Sequence, residues 1–301
     1  MKYREHNPPE VCMMTQSTCY KGTRKFTPKG ILIHSTGASN PFLKRYVQPS
    51  DNAPDKAYWL EKLGKNQYGN DWNHSDRQAG MNFFIGKCAD GTVQAVQTMP
   101  WDFRPWGCGS GPNGTCNDTH IQFEICEDNL TDRNYFDACY KETIEMIAYL
   151  CKMFNINPYG FVEYRGIRVP AIIDHIGSHE LGLGSNHGDV RYWYKKFGKT
   201  LDDVRKDVSN QLMSTDVSPV IPSPTPVVTD LPTLKFGSQD SATRGTVAYL
   251  QRKLNSTGAK LTIDGDFGNK TKQAVIQFQI DNNLSADGIV GKMTWTAIER
   301  V

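Results

Sequence analysis

A proline-rich segment near the C-terminus divides this chain into two parts. From Ser214 to Pro232 the sequence STDVSPVIPSPTPVVTDLP carries five prolines among serine, threonine and valine, with almost no charge. This composition favours a semi-rigid, extended linker over a helix or a strand. We therefore predict a large N-terminal domain over residues 1–211, a linker over 212–232 and a small C-terminal domain over 233–301.

The N-terminal part mixes strand and helix patterns. KGILIH, ending at His34, is typical of a short buried strand, and MNFFIGKCADGTVQAVQ has two apolar runs joined at an Asp-Gly pair, which indicates a hairpin. HIQFEIC, beginning at His120, alternates like a further strand. Between Phe136 and Phe154, apolar residues three and four apart predict an amphipathic helix lying on the sheet. The predicted fold class is α/β, a mixed central β-sheet flanked by helices.

The C-terminal part contains an internal repeat. DGDFGNKTKQAV from Asp264 and DGIVGKMTWTAI from Asp287 share Asp-Gly, a second Gly, Thr and Ala in register, and each predicts a turn that begins a helix. With the apolar spacing of GTVAYLQRKLN, they predict a small all-α domain of about three helices. Its predicted core consists of Leu250, Leu254, Val275, Phe278, Trp295 and Ile298.

Histidines provide the first indication of chemistry. In SHELGLGSNH, seven residues separate His179 from His187, and the glycines between them predict a loop that brings both imidazoles to one point. His34, at a strand end, is a candidate to join them, although an isolated histidine there is more often a surface or hydrogen-bonded residue. Three neutral imidazoles leave one tetrahedral position open, as in a catalytic zinc site.

Two other histidine arrangements compete with that set. His175 and His179 are four residues apart and would share one face of a helix, as metalloprotease ligands do, but Gly177 and Ser178 between them argue against a helix. His179-Glu180 also begins a motif similar to HExxH. A leucine occupies the place of the second histidine, so that interpretation fails.

A hydrolase of this kind needs a base to take the proton from the attacking water, and Glu124 is the candidate. Alternation in HIQFEIC puts Gln122 and Glu124 on the face opposite to the apolar residues, where the carboxylate can reach a cleft. The alternative is a salt-bridged or solvated strand glutamate.

Charge and hydropathy exclude other classes. A net charge of +2 gives no basic footprint for nucleic acid. No segment has the roughly 18 consecutive apolar residues of a membrane span, and the N-terminus lacks the apolar stretch of a signal peptide. We expect synthesis in the cytoplasm, no membrane insertion and no obligate protein partner.

All eight cysteines lie between Cys12 and Cys151, without the spacing of a zinc ribbon. We expect most of them to be buried thiols of a reducing compartment. Cys108 and Cys116 flank a glycine-rich turn and are candidates to pair in an oxidising one.

From about Lys29 to Val208, the segments ILIHST, ADGTV, IQFEIC and SHELGLGSNHGDVRYWYKKFGKTLDDVRKDV resemble type 2 N-acetylmuramoyl-L-alanine amidases, the group that includes peptidoglycan recognition proteins and many phage lysins. The resemblance implies a sheet flanked by helices, one Zn²⁺ held by His34, His179 and His187, and Glu124 as the catalytic residue. The tail resembles the three-helix peptidoglycan-binding domain of wall hydrolases, which implies bacterial peptidoglycan as partner.

Two positions depart from the family pattern. Many members carry a lysine two residues before the third ligand, where Ser185 stands, and a histidine after the tryptophan of an AWH segment, where Gly107 follows Trp106. Asn186 is a candidate replacement donor, and Trp106 and Asn186 are candidate substrate contacts.

The predicted function is zinc-dependent hydrolysis of the amide between N-acetylmuramic acid and L-alanine, in a phage-type endolysin or an autolysin acting at the cell wall after release or non-classical export. An intracellular muropeptide recycler is a further alternative, which the wall-binding tail disfavours. Two rival functions are a non-catalytic peptidoglycan recognition protein and a thiol-dependent wall peptidase.

Overall fold

The structure, a computed structural model, describes residues 1–4, 7–216, 231–243, 246–282 and 284–298. Its contacts divide the chain into two compact units, Met1–Ser218 and Pro219–Val301. The last helix of the first unit ends at Asp216, so the predicted linker over 212–232 begins inside a helix. Residues 217–230 of that linker lie outside the described residues.

A mixed sheet forms the centre of the first unit. The sheet has six strands in the spatial order β1-β4-β3-β5-β2-β8. Two further strands of this unit, β6 and β7, form a separate antiparallel pair. The strands are β1 (Glu10–Val11), β2 (Gly30–Ser35), β3 (Phe83–Lys87), β4 (Val93–Gln97), β5 (His120–Ile125), β6 (Phe161–Tyr164), β7 (Ile167–Pro170) and β8 (Ile172–Asp174).

Within the six-stranded sheet, only β3 and β4 are antiparallel neighbours, and the remaining pairs are parallel. The predicted hairpin is confirmed: Asp90 accepts hydrogen bonds from the Thr92 amide and hydroxyl at 2.9 and 2.7 Å, and Gly91 adopts a φ of 84°. A left-handed φ at this position is what glycine allows.

Helices cover the sheet, as the sequence predicts. The first unit contains α1 (Thr18–Lys21), α2 (Lys56–Leu63), α3 (Arg133–Phe154), α4 (His175–Glu180), α5 (Arg191–Lys196) and α6 (Leu201–Asp216), with two 3₁₀ turns at Leu43–Arg45 and Cys116–Asp118. The second unit contains α7 (Asp240–Thr243), α8 (Thr246–Ser256), α9 (Asn269–Asp281) and α10 (Lys292–Ile298).

The long helix α3 packs on one face of the sheet. Asp132 caps its first turn by accepting a hydrogen bond from the Tyr135 amide, and Asn155 ends it in the left-handed conformation. Its apolar stripe packs against one face of the neighbouring strands β2 and β5 in one core, which includes Ile31, Ile33, Ile121, Phe123, Ile125, Ile144, Ile147 and Leu150. The remaining side chains of β2 and β5, among them His34 and Glu124, are therefore directed to the other face of the sheet.

The C-terminal unit is all-α, with α8, α9 and α10 packed around the predicted core residues. Its internal repeat is structural: Gln251 and Gln279 occupy equivalent places, one before each Asp-Gly turn. The Gln251 amide donates to Asp264 and Thr271 and accepts from the Gly265 backbone. The Gln279 amide makes the matching contacts with Asp287, Thr294 and Gly288. Each turn is thus fixed by a buried glutamine of the preceding helix.

No helix among the described residues is both long and apolar enough to cross a membrane. All eight cysteines are described, and all are buried free thiols, including Cys108 and Cys116.

Candidate metal centre and active site

Three potential metal ligands meet at the carboxyl edge of the sheet. His34 lies near the end of β2, and His175 follows directly after β8, its parallel neighbour. The Nδ1 atoms of the two histidines are 3.1 Å apart. Asp189, just before α5, places one carboxylate oxygen 3.0 Å from His34 Nδ1 and the other 3.2 Å from His175 Nδ1. Among the described residues, this is the group of three side chains able to hold a metal ion.

A hydrogen-bond chain orients His34. Its Nε2 lies 2.8 Å from the Gln122 side-chain oxygen, and the Gln122 amide nitrogen donates to Asn117 at 2.8 Å. Because the oxygen of Gln122 can only accept, His34 carries its proton on Nε2. Its Nδ1 lone pair therefore faces His175 and Asp189.

The loop after α4 orients His175 in the same way. Its Nε2 is 3.1 Å from the Ser185 hydroxyl, which donates to the carbonyl oxygen of Cys108 at 3.2 Å. A hydroxyl that donates its proton to a carbonyl accepts from the imidazole, so the His175 proton is also on Nε2. The Nδ1 lone pair of His175 then faces the same point.

This arrangement fits a cation. Two nitrogen lone pairs and a carboxylate converge with no hydrogen between them, and buried Oδ1 of Asp189 accepts no hydrogen bond within the described part of the chain. Two imidazoles and one carboxylate leave a tetrahedral ion one open position, which is the pattern of catalytic zinc sites.

Glu124 lies beside this group. It is the register partner of His34 on the adjacent strand, and one of its oxygens, Oε2, is buried without a hydrogen-bond partner among the described residues. Burial raises the pKa of Glu124 well above its ordinary value; the nearby charges of Asp189 and Glu127 raise it further, and Arg77 opposes them. A buried carboxyl with a raised pKa and a free oxygen is suited to take a proton from a neighbouring group.

The expectation that no helix joins His175 to His179 is wrong, because α4 spans His175–Glu180. Asp174 caps the helix by accepting from the Gly177 amide at 2.8 Å. Glycine is needed at residue 177, where a Cβ would lie 2.8 Å from that carboxylate. Ser178 donates to the His175 carbonyl at 2.7 Å, so its hydroxyl is satisfied within the helix.

The structure brings only His34 of the three predicted ligands into the metal-binding group. His179 is exposed one turn further along α4, and its Nδ1 is 3.3 Å from the Gly184 carbonyl oxygen. His187 is also exposed; its Nδ1 contacts the Ser185 hydroxyl at 3.1 Å, and its ring lies 4.8 Å from that of His175. The reason is local: His175 is the first residue of α4, directly after β8, whereas His179 lies one turn further along the helix and is exposed.

The structure also gives a local explanation for the two positions that depart from the family pattern, Ser185 and Gly107. If Asp189 is the third ligand, the position two residues before it is His187, and Ser185 instead orients His175. At Gly107, a Cβ would lie 2.5 Å from the Gln122 oxygen, so the space of a side chain is taken by the residue that orients His34.

The other candidates stay predictions. Trp106 is 43% exposed and its main chain pairs with Gly80, and Asn186 is exposed beside the site loop. For the thiol-peptidase alternative, burial raises the pKa of Cys108, the thiol in contact with Gln122. A buried thiol with a raised pKa is a poor nucleophile.

Comparison with known proteins finds similar sequences and a similar fold. The chain is 28% identical over 194 residues to the N-acetylmuramoyl-L-alanine amidase CwlH of Bacillus subtilis (strain 168), covering 63% of this chain and 67% of that protein. It is 45% identical over 69 residues to the zinc D-Ala-D-Ala carboxypeptidase of Streptomyces albus G, covering 22% of this chain and 26% of that protein. Among solved structures, the Staphylococcus aureus hydrolase AmiA, in complex with its ligand, aligns with a TM-score of 0.43 and 18% identity over 69% of this chain and 85% of that one.

Two family models match the sequence, one in each unit. The peptidoglycan-binding domain model matches residues 243–298. The N-acetylmuramoyl-L-alanine amidase model matches residues 24–189, which contain His34, Glu124, His175 and Asp189. The chain therefore belongs to the N-acetylmuramoyl-L-alanine amidase family and carries a C-terminal peptidoglycan-binding domain.

Proposed function

We propose that His34, His175 and Asp189 hold one zinc ion and that Glu124 is the general base and acid of a peptidoglycan amidase. The bond cleaved joins the lactyl group of N-acetylmuramic acid to L-alanine. The observation that carries the proposal is the convergence of two Nδ1 lone pairs and a carboxylate beside a buried glutamate. Zinc, when bound, polarises the scissile carbonyl and makes water a stronger nucleophile near neutral pH.

Glu124 moves the proton in this mechanism. Its ionised carboxylate takes a proton from the water that attacks the lactyl carbonyl, and the resulting carboxylic acid delivers that proton to the leaving nitrogen of L-alanine. The raised pKa of Glu124 favours the first step, because burial makes the carboxylate a stronger base toward the attacking water. The products are a free lactyl carboxyl group and a peptide with a free amino terminus.

His187 is proposed to assist the carbonyl oxygen. It stands two residues before Asp189, the position of the lysine that many family members carry before the third ligand. Its ring lies beside His175 and is exposed, so it can donate a hydrogen bond to a bound substrate. A donor at that point stabilises the charge that develops on the oxygen during attack.

The C-terminal unit is proposed to keep the enzyme on the wall polymer. Tethering to an insoluble substrate raises the effective concentration of cleavable bonds at the active site without changing the site itself. An amidase unit and a wall-binding unit in one chain support an endolysin or autolysin role over muropeptide recycling.

Mass spectrometry of a digest of purified cell walls tests this function. The expected products are stem peptides with a new free L-alanine amino group and glycan strands with free lactyl carboxyls. Activity should disappear with a chelator and return with added zinc. New reducing sugars, or cleavage within the stem peptide, would contradict the proposal, as would full activity in the metal-free protein. Wall binding without any product would favour a recognition protein.

A further inference from the structure

The backbone of Val190, directly after Asp189, is hydrogen-bonded to Ser35, the residue after His34. The amide of Val190 donates a hydrogen bond to the hydroxyl of Ser35 at 2.8 Å, and this contact is buried. Ser35 is the last residue of β2 and directly follows His34. The position of the Asp189 backbone is therefore fixed relative to one of the two histidines.

The next residue, Arg191, forms an ion pair with the residue before the other histidine, His175. Arg191 makes a bidentate ion pair with Asp174, with Nε and Nη2 each 2.8 Å from a carboxylate oxygen. Asp174 is 0% exposed, precedes His175 and caps the helix that carries it. Bidentate pairing fixes orientation as well as distance. The two residues after Asp189 thus reach the immediate neighbours of both histidines.

Backbone strain marks the same segment. Val190 has a φ of 59°, in the left-handed region that β-branched residues avoid, and its side chain is fully buried. Such a conformation persists only where surrounding contacts impose it. Two contacts surround this residue: its own amide donates to Ser35, and the next residue, Arg191, pairs with Asp174.

The Asp189 carboxylate itself has little other support. Within the described part of the chain, its polar contacts are with the Nδ1 atoms of His34 and His175. Those atoms are the ones that a metal ion would engage. When a metal ion occupies the Nδ1 atoms of both histidines, the position of the Asp189 carboxylate therefore depends on the contacts of its backbone.

We propose that Ser35, Asp174, Val190 and Arg191 form a clasp that positions Asp189 as the third metal ligand. These clasp residues are positioning residues, since none of them belongs to the metal-binding group. The proposal rests on the proposed zinc site. It predicts that zinc affinity depends on two contacts that lie outside the ligand set.

The test measures zinc affinity by competition with a chromophoric chelator, in the full chain. Ser35→Ala removes one contact, and Arg191→Lys keeps the charge but loses the bidentate geometry. Because Arg191→Met alone would leave the buried Asp174 carboxylate unpaired, it is combined with Asp174→Asn, which keeps a capping side chain. Glu180→Gln is the matched control, since it removes the exposed partner of Arg191, at 2.8 Å, and leaves the clasp intact.

Ser35→Ala and the Asp174→Asn/Arg191→Met protein are expected to bind zinc about 10-fold or more weakly, and Arg191→Lys to be intermediate. Glu180→Gln should stay within about twofold, as is usual for an exposed ion pair. The visible spectrum of the cobalt-substituted protein should change in the clasp variants, and the metal-free proteins should remain folded by circular dichroism.

Wild-type affinity and an unchanged cobalt spectrum in the clasp variants would overturn the clasp while leaving the zinc site intact. A wild-type protein that binds no zinc would overturn the proposed function, and the clasp with it.

Discussion

His34 and Glu124 are register partners on the neighbouring parallel strands β2 and β5. Adjacent strands lie about 4.8 Å apart, so the sheet itself places the candidate base next to a candidate metal ligand. Both side chains are directed away from the α3 core, to the face where His175, at the start of α4, and Asp189, just before α5, also lie. The catalytic spacing is therefore a property of the sheet, and the remaining ligands are brought to it.

Replacing Glu124 with glutamine should abolish most activity and leave the metal site intact. Glutamine keeps the shape of the side chain but cannot accept and return the proton, which accounts for about 10²- to 10⁴-fold in rate. The measurement is release of free amino groups from purified walls, with zinc content determined on the same sample. Normal activity in a protein that binds zinc would show that another group is the base.

His187→Ala should lower kcat by about a hundredfold, the usual effect of removing one donor to a developing oxyanion. Zinc content and wall binding should not change, because His187 lies outside the ligand group. His187→Lys should restore much of the rate, because lysine supplies a donor at the same place. If alanine lowers zinc content as strongly as it lowers kcat, His187 is a ligand, as the sequence alone predicts.

The protein should be less stable in acid than at neutral pH, because His120 is buried in its neutral form. Both its ring nitrogens are hydrogen-bonded, to Thr119 at 2.7 Å and to the Pro170 carbonyl at 3.1 Å. Burial lowers its pKa from 6.5 to about 4, so the unfolded chain binds a proton more readily than the native one. The stability that His120 contributes is present above pH 6.5 and is lost as the pH falls toward 4, in total about 3 kcal/mol.

Urea unfolding of the metal-free protein between pH 7 and pH 4 checks this, with His120→Gln as the comparison. The variant should be less stable at pH 7 but should show a shallower pH dependence. Parallel pH profiles for the two proteins would exclude His120 as the cause.

The two buried glutamines of the C-terminal unit should be equivalent in stability. Gln251→Ala and Gln279→Ala should each destabilise that unit by about 3 kcal/mol, since each leaves several buried polar groups without partners. Gln277→Ala is the control, because exposed Gln277 contacts only the exposed side of α9, at Asp281. Hydrogen exchange of the backbone amides of α8 and α9, read by mass spectrometry of the full chain, reports on this unit. A similar effect of Gln277→Ala would contradict the role assigned to the two glutamines.

Local patterns were sufficient for much of the fold. The strand that carries His34, the Asp-Gly hairpin, the helix α3 and the C-terminal core all depend on hydrophobic periodicity and turn chemistry, and the structure confirms them. The candidate base followed from alternation along β5, which sets the face of Glu124.

The metal ligands depended on contacts that no local pattern contains. Gly177 normally weakens a helix, but here Asp174 caps the first turn, and the tight approach to that carboxylate requires glycine. The family resemblance allows histidine, cysteine or aspartate as the third ligand, but no local pattern distinguishes Asp189 from other aspartates. Its place depends on contacts of the next two residues with Ser35 and Asp174.

Zinc content of three single variants tests the central claim most directly. The structure-based ligand set predicts that His175→Ala and Asp189→Ala lose the metal during dialysis against a weak chelator, whereas His179→Ala retains one equivalent. Residue 175, at the start of α4, lies in the candidate metal site, and residue 179, one turn further along the same helix, is exposed to solvent. The two substitutions therefore remove the same side chain from neighbouring turns of one helix. Retention of zinc by His175→Ala together with its loss from His179→Ala would contradict the account.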